Sequence, residues 1–257
     1  MDSSLDDEFA WSWDDEFAWS AFILRRRLIS RHALSKDEQK FLDRILNQAD
    51  ERKMHFAKGH EFIRARIGSA PKGKSLQDLQ EKIPYPKEEL KPSPQKIRSI
   101  KDGRANPRGI TVLYLADSIE TAVAEVRPWI SAYVTIGTLK LNKDITVVNL
   151  YKDFPPSLFS VSDPVEEKIW EGINKSFAKP VSHGDEMWDY YATQYLAESF
   201  KLKGYDGILY MSSQYDGGYN VALFNIDDAS VISTKLIKIS SVLYNFDHIK
   251  SLVSKIL

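Results

Sequence analysis

The sequence predicts an α+β protein, and three observations carry that prediction. Strand-like runs rich in β-branched and aromatic residues recur through the second half of the chain. Helical patterns with recognisable caps lie between some of these runs. The chain has 257 residues, 43% hydrophobic and 28% charged, which is ordinary globular composition and enough length to bury a sizeable core. We therefore expect a mixed β core with flanking helices, preceded by a helical N-terminal segment.

The N-terminal arm carries a short repeat, because Asp-Asp-Glu-Phe-Ala-Trp-Ser at residues 6–12 recurs at residues 14–20. Seven acidic side chains precede the first basic residue, and Trp11, Trp13 and Trp19 lie among them. Large aromatic side chains are rarely left in water. We therefore expect the arm to dock its tryptophans on its own domain, over a cleft or on a second subunit, and to regulate the protein. A duplicated linker without function is the alternative.

A clear helix signal follows the arm. Ser35 and Glu38 form a capping box ahead of apolar residues at helical spacing, which are Phe41, Leu42, Ile45, Leu46 and Ala49. The spacing predicts an amphipathic helix over residues 35–57. We expect residues 1–57 to form an N-terminal unit and residues 58–257 to form the main domain.

The main domain begins with a segment rich in Pro, Lys and Ser at about residues 69–106, which predicts a long surface loop with little regular structure. Beyond it, helices are predicted from Ser118 to about Arg127, from Asp163 to about Phe177, and over residues 187–203, where Gly204 is a good terminator. Strands are predicted over residues 111–116, 133–141, 145–150, 207–212, 219–225 and 230–239.

Composition argues against several classes of function. The formal net charge of −1 gives no general attraction to nucleic acid. The chain has no cysteine and no paired histidines at metal-binding spacing, so we expect no metal site. No apolar run approaches the roughly 20 residues of a membrane-spanning helix, and the acidic N-terminus is unlike a secretory signal. We therefore expect a cytoplasmic protein without membrane contact.

Several motifs resemble one known family. The first block is Gly-Arg-Ala-Asn-Pro-Arg-Gly-Ile at residues 103–110, which runs into Val-Leu-Tyr-Leu-Ala at 112–116 and Glu-Thr-Ala-Val-Ala-Glu-Val-Arg-Pro at 120–128. The second block comprises residues 193–198, 204–208, 210–213 and 220–224, and Phe-Ile-Arg-Ala-Arg at 62–66 lies upstream. Over roughly residues 60–225 the chain resembles the RES domain family. That resemblance implies a fold related to ADP-ribosyltransferases and NAD degradation.

The resemblance implies three catalytic positions, an arginine, a glutamate and a serine. They fall on Arg64 or its neighbour Arg66, on Glu125 and on Ser212. Cleavage of NAD at ribose passes through an oxocarbenium-like centre, so a site needs a carboxylate near the ribose, cations for the pyrophosphate and a surface for nicotinamide. We expect the remaining candidate arginine of this pair to bind substrate.

Loop and strand residues of the first block are candidates for NAD binding. Arg104 could bind the pyrophosphate with its planar fork, and Asn106 lies in the same turn. Tyr114 faces the opposite side of its strand from Leu113 and Leu115, so it can line a cleft and stack on nicotinamide or ribose.

Helical periodicity cannot choose between Glu120 and Glu125, since both lie beside the apolar stripe of their helix. The resemblance selects Glu125 to hydrogen-bond the ribose hydroxyls and to stabilise positive charge. Ser212 ends a strand beside a polar, Gly-rich turn, and without a nearby base we expect it to form hydrogen bonds. Ser213 is its close competitor, and Asn220 could close the pocket.

The resemblance therefore implies a toxin that depletes NAD by cleaving its nicotinamide–ribose bond. Hydrolysis and phosphorolysis both remain open, the latter with inorganic phosphate as co-substrate, and we expect no other cofactor. Protein ADP-ribosylation and a non-catalytic, partner-binding role are the alternatives. The family also implies a cognate antitoxin of the Xre type, and a homodimer is a further expectation.

Overall fold

The structure is a computed structural model that describes residues 13–93, 95, 98, 100–151, 163–180 and 187–243. The first copy of the repeat, with Trp11, lies outside these residues. The described helices are α1 (Ala18–Leu28), α2 (Lys36–Gln48), α3 (Leu76–Gln80), α4 (Ile119–Val126), α5 (Pro164–Ala178) and α6 (Tyr191–Leu202). The described strands are β1 (Lys53–Phe56), β2 (Glu61–Ile67), β3 (Ala70–Pro71), β4 (Lys82–Ile83), β5 (Leu113–Ala116), β6 (Tyr133–Leu141), β7 (Ile145–Asn149), β8 (Gly207–Met211), β9 (Tyr219–Leu223) and β10 (Ala229–Lys238).

Eight of these strands form one mixed sheet in the order β1-β7-β8-β9-β5-β2-β6-β10. The β7–β8 pair is parallel, and the other neighbouring pairs are antiparallel. Between β2 and β5 only Ile63 and Ala116 are in register, whereas β2 pairs with β6 along its whole length. The sheet therefore opens between β2 and β5.

Side chains that alternate along the strands fill two separate cores. On one side Ile208 and Tyr210 of β8 pack with helices α1, α2, α5 and α6. On the other side Leu209 of the same strand packs with residues of β1, β2, β5, β6, β7 and β9. This is the period of two that a sheet imposes when both faces are buried. The cleft between β2 and β5 lies at the edge of the helix-covered core.

The predicted α+β class, with its mixed sheet, flanking helices and helical N-terminal segment, is confirmed. The strand predicted over residues 133–141 has the observed bounds of β6. The helices predicted to begin after Ser118 and Asp163 do so, and each cap side chain accepts a backbone N–H of the first turn. The loop segment at 69–106 contains more structure than expected, namely the β3–β4 pair, α3 and a 3-10 turn at Lys87–Leu90.

The helix predicted over residues 35–57 is wrong in its second half. Ser35 and Glu38 form the expected capping box, but α2 ends at Gln48. A 3-10 turn at Ala49–Arg52 follows, and the chain then enters β1, which pairs with β7. Pairing with a distant strand overrides the local helical pattern here, and it buries Phe56 in the second core.

The described part of the arm packs on its own domain and is largely helical. Trp19 is only 3% exposed, and its Nε1 donates to Ser176 Oγ of α5 at 2.8 Å. Trp13 packs against Phe41 of α2, with 5.7 Å between ring centroids. Neither ring covers the cleft. Trp13 and Trp19 instead pack on the core of their own domain, which is one of the three docking places that the sequence suggested. Among the described residues, no helix is long and apolar enough to cross a membrane.

Candidate active site

A cavity of about 290 Å³ occupies the opening between β2 and β5. Five of the elements that line it contribute Arg64 of β2, Tyr114 of β5, Glu125 of α4, Tyr210 of β8 and Asn220 of β9. The floor and rim are completed by Gly103, Arg104, Phe177, Ala178, Lys179 and Pro180, among others. One carboxylate, three arginines and several aromatic rings thus line one cleft.

Two side chains, one from the turn after β8 and one from β9, donate hydrogen bonds to the Glu125 carboxylate. Ser212 Oγ donates to Glu125 Oε1 at 2.7 Å, and Asn220 Nδ2 donates to the same oxygen at 2.7 Å. The Ser212 oxygen itself accepts from the backbone N–H groups of Gln214 at 3.1 Å and Tyr215 at 3.2 Å. Because those N–H groups occupy the hydroxyl lone pairs, the Ser212 proton is directed at the carboxylate.

This arrangement leaves one carboxylate oxygen for a ligand. Within the described part of the chain, Glu125 Oε2 has no hydrogen-bond partner, while Oε1 has two. Two donors on one oxygen fix the orientation of the Glu125 carboxyl group. Glu120, the other candidate, is exposed and does not line the cavity.

The turn that follows Ser212 packs closely against α4, the helix that carries Glu125. Gly218 lies directly against the first turn of α4, where a Cβ would come within 2.2 Å of Thr121 Oγ1. Thr121 is fully buried. Any larger residue at position 218 would push the turn away from α4, and with it the Ser212 hydroxyl.

Arg64 is one of three arginines that line the first cavity, with Arg104 and Arg127. Its Nη1 donates to the Tyr114 carbonyl at 2.7 Å, and no carboxylate among the described residues pairs with it. Burial lowers the pKa of Arg64 to about 10, so the guanidinium is still charged at neutral pH. Arg66 instead pairs with Glu89 at 2.5 Å and stacks on Tyr85. The geometry therefore places Arg64, and not Arg66, beside Glu125.

Tyr114 presents its ring to the cleft while its hydroxyl is tied down. The hydroxyl donates to Asn106 Oδ1 at 2.8 Å and accepts from the Ala105 N–H at 3.0 Å. Burial raises the pKa of Tyr114 above its ordinary value, so the hydroxyl stays protonated. The alternation expected from sequence is present, since Leu113 and Leu115 are buried in the opposite core.

Two other candidates make contacts within the protein. Arg104 lines the cavity, but its guanidinium lies 4.4 Å from the centre of the Tyr190 ring and donates to the Asp189 carbonyl at 3.3 Å. Neither Ser212 nor Ser213 lines the cavity itself, and the Ser213 Oγ donates to the Ala178 carbonyl at 2.6 Å. Of the two adjacent serines, only Ser212 meets Glu125.

A second cavity of about 420 Å³ adjoins the first and shares Arg64, Ala65 and Tyr114 with it. Its other walls carry the basic residues Arg66, Lys91 and Lys101, the acidic residues Glu88 and Glu89, and Asn106. Within the ranges the structure describes, no three acidic or histidine side chains come together in a way that could hold a metal ion.

Sequence reasoning missed Tyr210 as a cavity residue. It is 8% exposed, and its hydroxyl has no hydrogen-bond partner among the described residues. Burial raises the pKa of Tyr210 well above its ordinary value, the nearby Glu125 carboxylate acts in the same direction, and the Arg104 guanidinium acts against it. The signal that could have found it is its position two residues before Ser212, which places both side chains on one face of the chain.

Comparison with known proteins adds family and fold relationships. The family model described as RES domain matches residues 85–246. No curated protein matches the chain. One similar solved chain comes from the crystal structure of the M. tuberculosis MbcT–MbcA toxin–antitoxin complex, with 15% identity over 76% of this chain and 92% of that chain. Its TM-score is 0.37, too low for a comparison of the two sites.

Proposed function

The chain belongs to the RES domain family, and on that premise we propose that it is a toxin that degrades NAD by breaking the nicotinamide–ribose bond. The observation that carries the proposal is the Glu125 carboxylate, which two donors hold with one oxygen free in a cleft beside Arg64 and Tyr114. A fixed carboxylate in a partly buried cleft is suited to stabilising a cationic ribose centre.

In the proposed reaction the bond between ribose C1′ and the nicotinamide nitrogen breaks, and its electron pair leaves with nicotinamide. Glu125 Oε2 accepts a hydrogen bond from a ribose hydroxyl and faces the positive charge that develops at C1′. An oxygen of water or of inorganic phosphate then bonds to C1′ on the vacated side. Water loses its proton to solvent and gives ADP-ribose, whereas phosphate gives ADP-ribose carrying a phosphate at C1′.

The two adjoining cavities provide separate places for the two ends of a dinucleotide. Phe177 and Tyr210, whose rings lie 6.1 Å apart, offer an aromatic wall for nicotinamide in the first cavity. Arg64 lies on the wall that both cavities share, so its free donors can meet the pyrophosphate between them.

The proposal is tested by incubating purified protein with NAD, with and without inorganic phosphate, and identifying the products by mass spectrometry. Release of nicotinamide with free ADP-ribose indicates hydrolysis, and phosphorylated ADP-ribose indicates phosphorolysis. Transfer of ADP-ribose onto protein would replace the proposal by the alternative enzyme activity. Absence of nicotinamide release under all conditions would refute it, and Glu125→Gln protein serves as the inactive control.

Toxicity is a separate part of the proposal. Induced expression of the wild-type chain should arrest growth and lower cellular NAD, and Glu125→Gln should do neither. Arrest that persists with Glu125→Gln would separate toxicity from the proposed chemistry. A cognate Xre-type antitoxin and a homodimer remain predictions from the resemblance.

A further inference from the structure

We infer that Gln194 is a positioning residue that holds the turn at residues 103–106 in place, and that Arg31 of the N-terminal segment fixes the orientation of its amide. The turn carries Arg104 and receives the Tyr114 hydroxyl, so Gln194 acts on the cleft without lining it. The activity part of this inference rests on the proposed function, whereas its structural part does not.

Gln194 lies in α6 and is only 2% exposed. Its Nε2 donates to the Asn106 carbonyl at 2.9 Å and to the Gly103 carbonyl at 3.0 Å. These two residues also exchange backbone hydrogen bonds, from Gly103 N–H to Asn106 O at 2.9 Å and from Asn106 N–H to Gly103 O at 3.3 Å. One side-chain amide thus closes both ends of a tight turn that contains only Arg104 and Ala105 between them.

The orientation of the amide is set by a residue far away in sequence. Arg31 Nη2 donates to Gln194 Oε1 at 3.2 Å, and the Arg31 guanidinium lies 4.2 Å from the centre of the Tyr191 ring. A guanidinium only donates hydrogen bonds, so it can meet only the oxygen of the amide. The NH₂ group is then turned toward the carbonyls of the turn. Arg31 precedes the residues matched by the family model, so this contact lies outside the matched region.

This turn controls the Tyr114 hydroxyl directly. Ala105 N–H donates to that hydroxyl, and Asn106 Oδ1 accepts from it. Gly103 lies so close that a Cβ there would come within 2.6 Å of the Tyr114 oxygen. A small displacement of the turn therefore breaks or strains the bonds that orient the Tyr114 ring beside the Arg64 guanidinium, and small misplacements of binding groups lower turnover strongly.

The first test is Gln194→Met in the full chain, which keeps the length and apolar stem of the side chain but removes both bonds to the turn. Amide hydrogen exchange at Ala105 and Asn106, followed in peptides covering residues 100–115, should accelerate by about 10-fold or more. The matched control is Gln48→Met, since Gln48 also makes a side-chain hydrogen bond, from Trp170 Nε1 at 2.7 Å, but lies outside the cleft. Unchanged exchange in the Gln194 variant, or equal acceleration in the control, would overturn the inference.

The second test asks whether the effect reaches the cleft through Tyr114. Gln194→Met should lower kcat/KM for NAD by about 10-fold or more, and the loss should be much smaller in a Tyr114→Phe background, because residues that act through one another are not additive. If the losses in kcat/KM from Gln194→Met and Tyr114→Phe multiply in the double variant, or if Gln194→Met leaves turnover unchanged, the positioning role is overturned. If Gln194→Met fails to fold, Arg31→Met replaces it and should accelerate exchange in the same peptides. A wild-type chain that leaves NAD intact refutes the proposed function alone, since the exchange measurement still decides the inference.

Discussion

Replacing Glu125 with glutamine is the sharpest perturbation that the cleft offers. The change keeps the shape of the side chain, and the amide oxygen of the introduced glutamine can still accept from both the Ser212 hydroxyl and the Asn220 amide. The atom turned toward the cavity then becomes an uncharged NH₂ group that donates where Oε2 accepts. The variant therefore removes the negative charge and leaves the surrounding bonds in place.

The magnitude follows from the charge that is lost. Two unit charges about 4 Å apart at an effective dielectric constant of about 20 interact by about 4 kcal/mol. Since the ribose centre carries only part of a full charge in the transition state, about 2–4 kcal/mol of stabilisation is lost, which corresponds to a fall in kcat of about 30-fold to 1,000-fold. The unfolding temperature should stay within about 4 °C of the wild type, since the two hydrogen bonds persist.

The assay is nicotinamide release from NAD, measured for wild type and for variants of both glutamates of the helix. Glu120→Gln is the matched control, because Glu120 lies on α4 but is exposed and outside the cavity. Its turnover should remain within about 2-fold of the wild type, as is usual for a surface substitution. Near wild-type turnover in Glu125→Gln, or inactivation by Glu120→Gln instead, would refute the assigned role of the carboxylate.

Three further predictions separate neighbouring residues. Arg64→Ala should raise KM for NAD by about 10-fold or more with a smaller change in kcat, since phosphate contacts act in the ground state and the transition state alike. Arg66→Ala should change KM less, because Arg66 is paired with Glu89. In steady-state kinetics Ser212→Ala, which removes one donor to Glu125, should lower kcat by about 10-fold, and Ser213→Ala should lower it less. Trp19→Phe should destabilise the fold by about 1 kcal/mol in urea unfolding through loss of its hydrogen bond, and an unchanged midpoint would show that this hydrogen bond does not contribute to stability.

The sequence predicted the elements whose signal is local. The alternating pattern of residues 133–141 is visible within one strand, and the caps at Ser118 and Asp163 are set by side chains beside their own helices. Strands β1 and β2 were not predicted as strands. β1 is only four residues long and β2 contains two arginines, so both depend on pairing with distant partners.

The residues of the candidate site also differ in whether the local sequence identifies them. Periodicity left Glu120 and Glu125 equivalent, because both flank the apolar stripe of α4. The residues that distinguish them, Ser212 and Asn220, are 87 and 95 positions away and reach Glu125 only when the sheet is assembled. Gln194 carries no local signal, since its role depends on a turn 88 positions earlier in the chain.

The described part of the arm attaches to its own domain through ion pairs and through Trp19. Asp14 lies 3.4 Å from Arg44 of α2, and Glu16 pairs with Lys168 of α5. These two acidic residues of the second copy of the repeat therefore pair with basic side chains of the same chain. The Asp14 side chain is almost fully exposed, and exposed pairs stabilise little. Burial of an indole removes about 150–250 Å² of accessible surface from water, which corresponds to a favourable transfer free energy of about 4–6 kcal/mol. Burial of Trp19 therefore contributes more to attachment of the described part of the arm than its exposed ion pairs do.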